Sequence, residues 1–274
     1  MCMLTISRHP NRERRDTMRI HLADAYSLRG DLSNALKHIK VPAERWPDSR
    51  DIWNIFTRIV VGVGGVRQTA KFIGNLRKEH PSSVPLALLQ GHVYLQNYSY
   101  AEALAEYMDA FRLDPQESLV MLCISNLFAN YACSRNANDR VRAVIQSFAW
   151  LQEAGRHRTD LVEIAYNAGR LAQQFSLMHL AVPLYREALH HYDELQIPDI
   201  GRMEVDETET TENLLASGKR SNFAQAADHG RSNERGIPER YNLSREAAFN
   251  LSLILRESGA DAAAKTIMRK YLTF

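Results

Sequence analysis

The chain has 274 residues, 45% of them hydrophobic, and a formal net charge of +2; its mean hydropathy is −0.36 and its pI about 8.4. Near-neutral charge gives no electrostatic case for a nucleic-acid partner, and no apolar run reaches the ~18 residues of a membrane span. Abundant Leu and Ala, sparse Pro and Gly, and no sustained alternation point to an all-α protein built as one large domain, two ordinary ones or a solenoid.

Residues 1–15, MCMLTISRHPNRERR, read as a flexible basic N-terminus. The apolar run is too short, and the charges are in the wrong order, for a secretory signal. RHPNRERR reads as a solvated basic helix start rather than a nuclear address. None of the three cysteines, Cys2, Cys123 and Cys133, forms a C-x-x-C pair. Cys123 and Cys133 lie in a hydrophobic helical stretch and read as small buried hydrophobes in a reducing compartment, cytosol or nucleus.

Residues 16–195 read as a repeat array. In the first unit Ala23, Tyr26 and Ala35 take small, aromatic and small positions, with Pro47 as the stop. Residues 51–80 follow as a degenerate pair of helices. GHVYLQNYSYAEALAEYMDAFRLDP, residues 91–115, then gives a clear helix-turn-helix: Gly91 and Tyr94 on the first helix, Ala103, Tyr107 and Ala110 on one face of the second, and Pro115 closing it. Residues 118–155 form a longer degenerate unit, its extra length expected in the loop around Asn136 to Asp139. Residues 161–193 repeat the clear unit. Gly169, Ala181, Tyr185 and Ala188 have the offsets of Gly91, Ala103, Tyr107 and Ala110, which is the spacing of a 34-residue tetratricopeptide repeat (TPR). The expected physics is close helix approach at Gly91 and Ala103, tyrosines filling the groove against the next unit, and Ala110 and Ala188 keeping the second helix near the following hairpin.

Residues 196–240 lose helical periodicity, running from acidic (Glu204 to Glu212) to basic (Lys219 to Arg240). They read as a disordered charged insertion, with a short helix conceivable at Thr211 to Ala216. Residues 241–274 form a final TPR hairpin, with Ser252 and Leu255 on its first helix and Ala264 and Met268 on its second. The expected fold is an all-α TPR superhelix (α-solenoid) of about six helical hairpins with one long disordered insertion. Both ends read as cut, which implies a larger parent chain and a partner covering the last helix.

No enzyme motif stands out. GVGG at 62–65 lacks the third glycine of a dinucleotide loop, because position 67 is Arg67, and it follows a helix. His190 and His191 are adjacent and so are not expected to share a metal on one helix face. His157 and His179 lack partners at ligand spacing. Glu102 and Glu106 read as a solvated i,i+4 pair. Arg135, Arg140 and Arg142, and the basic half of the insertion, read as solvated; DNA contact is expected to be at most indirect or weak. No catalytic residue, cofactor, metal or small-molecule substrate is expected.

A TPR array presents its first helices to a partner-binding groove. The groove-facing candidates are Leu88, His92, Leu95 and Gln96; Tyr166, Arg170, Gln173 and Gln174; and Phe249, Leu253 and Arg256. A clamp for a C-terminal carboxylate needs a Lys and two Asn at such positions. Leu88 and His92, or Tyr166 and Arg170, stand there instead.

Four stretches carry a family resemblance: residues 91–135, VIQSFAWLQEAG, YNAGRLAQQFSLMHLAVPLYREALHHYDEL and AAFNLSLILRESGADAAAKTIMRKYL. Together they resemble the C-terminal TPR region of the large TPR subunit of general transcription factor IIIC (TFIIIC), over roughly residues 16 to 274. FNLSLI after a charged insertion is the most specific element; the insertion is longer than the family pattern, and the family's acidic N-terminal part and first TPR array are absent. The resemblance implies a nuclear, non-enzymatic scaffold in RNA polymerase III transcription. The family subunit sits in the subcomplex that recognises the A-box and helps recruit TFIIIB, a role usually given to its N-terminal array. Implied partners are other TFIIIC subunits, with TFIIIB as a further candidate. The competing reading is a generic TPR adaptor that holds a short peptide in its groove.

Overall fold

A computed structural model describes residues 12–62, 69–157, 160–196 and 243–272. The stretch 1–11, most of the GVGG turn and all but the first residue of the expected insertion at 196–240 lie outside the described residues. Among the described residues, twelve helices and no strand occur. The chain divides into two units after Leu127. Unit 1 holds α1 (Arg12–Leu28), α2 (Leu32–Arg45), α3 (Arg50–Gly62), α4 (Ala70–Glu79), α5 (Val84–Gln96), α6 (Tyr100–Leu113) and the start of α7 (Ser118–Cys133). Unit 2 holds the rest of α7, then α8 (Arg140–Arg156), α9 (Leu161–Gln174), α10 (Met178–Gln196), α11 (Ser244–Glu257) and α12 (Asp261–Tyr271). The fold class is all-α, and the helices pair as TPR-type hairpins.

Four hairpin turns, α1–α2, α5–α6, α9–α10 and α11–α12, use the same backbone device. One residue enters the left-handed region, Gly30 and Gly259 at φ 80° and Tyr98 and Ser176 at φ 60°. Its N–H bonds back three residues, and the next N–H bonds back five: Asp31 to Tyr26, Ser99 to Tyr94, Leu177 to Ala172 and Ala260 to Leu255. This is the Schellman pattern, which satisfies the last carbonyls of the first helix. Asp31 then caps α2 through the Asn34 N–H, and Asp160 caps α9 through the Glu163 N–H.

Within the hairpins, the two tyrosines are seated on the two glycines. A Cβ added to Gly91 would lie 2.3 Å from a Tyr107 ring carbon, and one on Gly169 would lie 2.8 Å from the Tyr185 ring. Both rings are fully buried, as are Ala103, Ala110, Ala181 and Ala188. Each tyrosine therefore packs first on the glycine of its own hairpin, not only against the next unit as the spacing suggested. In the α1–α2 hairpin, Ala23 and Ile39 occupy the corresponding places and are also fully buried. In α11–α12 the corresponding pair is Ser252 and Met268, and Met268 is partly exposed.

Successive hairpins are also tied at their connections. The Pro47 carbonyl accepts from both Trp53 Nε1 (2.7 Å) and Ser83 Oγ (2.8 Å), joining the loops before α3 and before α5. Arg50 at the start of α3 reaches Asp114 at 3.3 Å and Glu117 at 2.6 Å, beside Pro115. The unit-1 core runs through Ala35, Ile39, Trp53, Phe56, Ile73, Leu86 and Val93. In unit 2, Tyr185, Leu189, Ala248, Leu251 and Leu255 continue the same kind of seam. There, Asp193 receives Lys270 Nζ and the Tyr271 hydroxyl, both at 2.7 Å, and so fastens α12 to α10.

The elongated repeat differs from the expectation. Helices α5 and α7 start 34 residues apart (84 to 118), but α7 and α9 start 43 apart (118 to 161). The excess is not confined to the loop. Helices α7 and α8 have 16 and 17 residues against 13 and 14 in α5 and α6, and the connection between them lengthens as well.

Two predictions follow from this packing. Gly91→Ala should cost about 1–3 kcal/mol by overpacking the Tyr107 ring, and Gly169→Ala less. Gly74→Ala, whose Cβ would meet only Gln90 Oε1 at 3.6 Å, should gain up to about 1 kcal/mol from helix propensity. Urea denaturation ranks the three, and a Gly91→Ala protein as stable as wild type would contradict the seating. Separately, Tyr98→Gly should stabilise the protein by roughly 1 kcal/mol, because an L-residue in the left-handed region costs about that and the exposed Tyr98 side chain gives up little packing. Its midpoint in the same assay should rise.

Candidate functional site

Two inner faces gather the residues singled out in the sequence. In unit 1, α3 and α5 enclose a cleft of about 200 Å³ lined by Thr57, Val60, Val61, Leu89, His92, Leu95 and Gln96. Three of the four expected residues, His92, Leu95 and Gln96, are in that lining. Leu88 is not, and its neighbour Leu89 is, although both are buried. The α3 wall was not anticipated. Its signal was weak, because no glycine or alanine marks the register of RDIWNIFTRIVV.

The cleft is apolar and uncharged. Helix α5, VPLALLQGHVYLQ, carries no Asp, Glu, Lys or Arg. Its one titratable group along the cleft, His92, shares a hydrogen bond with the Tyr107 hydroxyl through Nδ1 at 2.5 Å, ring edge against ring. Burial lowers the His92 pKa, and burial likewise raises that of Tyr107 far above the usual phenol range. A neutral imidazole therefore lines the cleft, backed by a neutral phenol. Val61, by contrast, is 70% exposed at the rim.

In unit 2, the face formed by α9 and α11 is aromatic and polar. The Tyr185 hydroxyl donates to Gln173 Oε1 at 2.7 Å and accepts from Asn250 Nδ2 at 3.2 Å. Burial pushes the Tyr185 pKa up to about 12. The Tyr166 and Tyr185 rings lie 6.1 Å apart, and the Arg170 guanidinium is 6.0 Å from the Tyr166 ring centre. Burial also raises the Tyr166 pKa, against the opposing pull of Arg170. Gln174 Nε2 reaches Cys133 Sγ at 3.5 Å. Phe249, Arg170 and Arg256 are exposed, and Leu253 is half-buried. Asn250, inside the FNLSLI stretch, went unassigned in the sequence although it links α11 to the Tyr185 hydroxyl.

His92 and Gln173 thus serve the hairpin tyrosines as well as the surface. The repeat-packing residues Gly91, Tyr107, Gly169 and Tyr185 lie directly beneath the two faces, with Tyr94 half-buried on α5. Arg135, Arg140 and Arg142 stand exposed around the α7–α8 connection, where Asp139 caps α8 through the Arg142 N–H at 2.9 Å.

No protein-family model matches the chain. It is 26% identical over 263 residues to the human protein "General transcription factor 3C polypeptide 3", which aligns with 96% of this chain. It is 26% identical over 194 residues, 69% of its length, to "Transcription factor tau subunit sfc4" of Schizosaccharomyces pombe. Its curated homologues are TFIIIC subunits. The chain spans only 25% of the human TFIIIC relative and 16% of the fission-yeast one. Among solved structures, a MamA structure aligns with 66% of this chain and 93% of its own, at 15% identity and a TM-score of 0.40.

The neutral His92 makes stability depend on pH. A histidine whose folded pKa is depressed contributes stability that is complete above its unfolded value, ~6.5, and lost as pH falls below it. His92→Asn should therefore flatten the decline in melting temperature between about pH 6.5 and 5. His191, with its pKa raised by Glu187 and Glu194, acts with the opposite sign and stays the same in both proteins. Parallel melting curves across that range would refute the assignment.

Proposed function

We propose that the chain is a non-enzymatic protein–protein interaction scaffold of TFIIIC, acting in the nucleus in RNA polymerase III transcription by subunit assembly. The observation that carries this reading is the 26% identity to the human polypeptide along 96% of the chain. Alignment of that extent includes both inner faces and all four hairpin turns. The faces suit the role: one is an uncharged apolar cleft and the other an aromatic and amide-rich surface. Recruitment of TFIIIB is a further element of the proposal. DNA contact is taken to be indirect or weak.

A TPR adaptor holding a short peptide is the second reading. It is favoured by the size of the α3–α5 cleft, about 200 Å³, which suits one anchoring side chain better than a cofactor of the usual ~300–1,000 Å³ site. A subunit interface instead buries on the order of 1,600 Å², more than that cleft alone provides.

The test is affinity purification of the tagged chain from nuclear extract with mass spectrometry of the associated proteins. Other TFIIIC subunits should be recovered, and Val61→Asp at the exposed rim of the cleft should deplete them about tenfold. Recovery of chaperones with no TFIIIC subunit would overturn the scaffold reading.

A further inference from the structure

The last two turns of α10 carry a cluster that the function above leaves unused. His190, His191 and Glu194 each offer one ligand atom, and these atoms lie within 4.8 Å of one another. Adjacent histidines point about 100° apart on a helix, so adjacency alone does not pair them. Glu194 removes the difficulty, being i+4 from one and i+3 from the other. Its Oε2 stands 3.6 Å from His190 Nδ1 and 3.2 Å from His191 Nδ1. Two ligand atoms around a tetrahedral zinc ion, with bonds of about 2.0–2.1 Å, are separated by about 3.4 Å. The carboxylate oxygen is thus at coordination spacing from both nitrogens.

A second carboxylate supports the arrangement from behind. Glu187 Oε1 lies 3.9 Å from His191 Nε2, on the opposite side of the ring. A carboxylate on the far nitrogen orients a metal-bound imidazole and strengthens it as a ligand. One carboxylate oxygen facing two imidazole nitrogens also calls for positive charge between them, which a proton or a metal ion can supply. Asp193, the remaining carboxylate of this turn, is already occupied by Lys270 and Tyr271. The negative end of the α10 dipole favours a cation at the same place.

We propose that His190, His191 and Glu194 form a site for a divalent transition-metal ion, zinc by ligand type. Three protein ligands leave coordination open, and the exposure of His190 (71%) and Glu194 (57%) places the open side toward solvent. Water, or a donor from an assembled subunit, completes the shell.

The experiment uses the full chain stripped of metal and titrated with Zn²⁺ by calorimetry and with Co²⁺ by absorption. Wild type should bind one equivalent that His190→Ala and Glu194→Gln each weaken by on the order of tenfold or more, with loss of the corresponding Co²⁺ ligand-field bands. Glu187→Gln should weaken it about tenfold through orientation alone. His179→Ala, also on α10, should leave it unchanged. His190 and Glu194 are exposed, so far-UV circular dichroism should match wild type in both variants. Absence of zinc binding, equal binding in the His190 and Glu194 variants, or equal loss in His179→Ala overturns the site.

Discussion

The structure depends on an aromatic ring seated against a helix that has no side chain at that point. Tyr107 on Gly91 and Tyr185 on Gly169 bring the two helices of their hairpins closer than any Cβ would allow. Full burial of a ring of this size is worth about 1.5–3 kcal/mol, and glycine in a helix gives back up to about 1 kcal/mol. The exchange is favourable only because the contact is that close. The hydroxyls then extend outward: Tyr107 to His92, and Tyr185 to Gln173 and Asn250. Core packing and surface chemistry are therefore joined through two residues, Tyr107 and Tyr185.

The turn complements that contact. Because the first helix of each of the four hairpins ends in the same pair of back-directed N–H bonds, the second helix leaves at a set angle and its small residues arrive opposite the first. Gly30 and Tyr98 are 68 positions apart, two 34-residue periods, although their side chains have nothing in common. Backbone hydrogen bonding, not residue type, carries the period through this part of the chain. Where the repeat lengthens, between α7 and α9, both helices grow along with the connection, so the extra residues are absorbed mainly as helix.

Legibility in the sequence followed the same division. Gly91, Ala103, Tyr107 and Ala110 were readable with their counterparts in the later unit, because each is dictated by a contact that only a small or a flat side chain can make. Two of the four left-handed turns were not readable, since Tyr98 and Ser176 stand where Gly30 and Gly259 mark the other two. Leu88 and Leu89 differ by one helical step, and hydrophobic periodicity alone does not choose which of two adjacent leucines faces the cleft. The α3 wall stayed hidden for want of a register marker.

The contrast in charge between the two inner faces bears on how an assembly built on them would respond to its medium. Contacts made in the α3–α5 cleft involve no formal charge, so added salt has nothing there to screen. Contacts that use Arg170 and Arg256 on the other face would weaken as the screening length contracts from about 10 Å at 0.1 M to 3 Å at 1 M. Binding at α3 and α5 should therefore change little as ionic strength rises, while binding at α9 and α11 weakens.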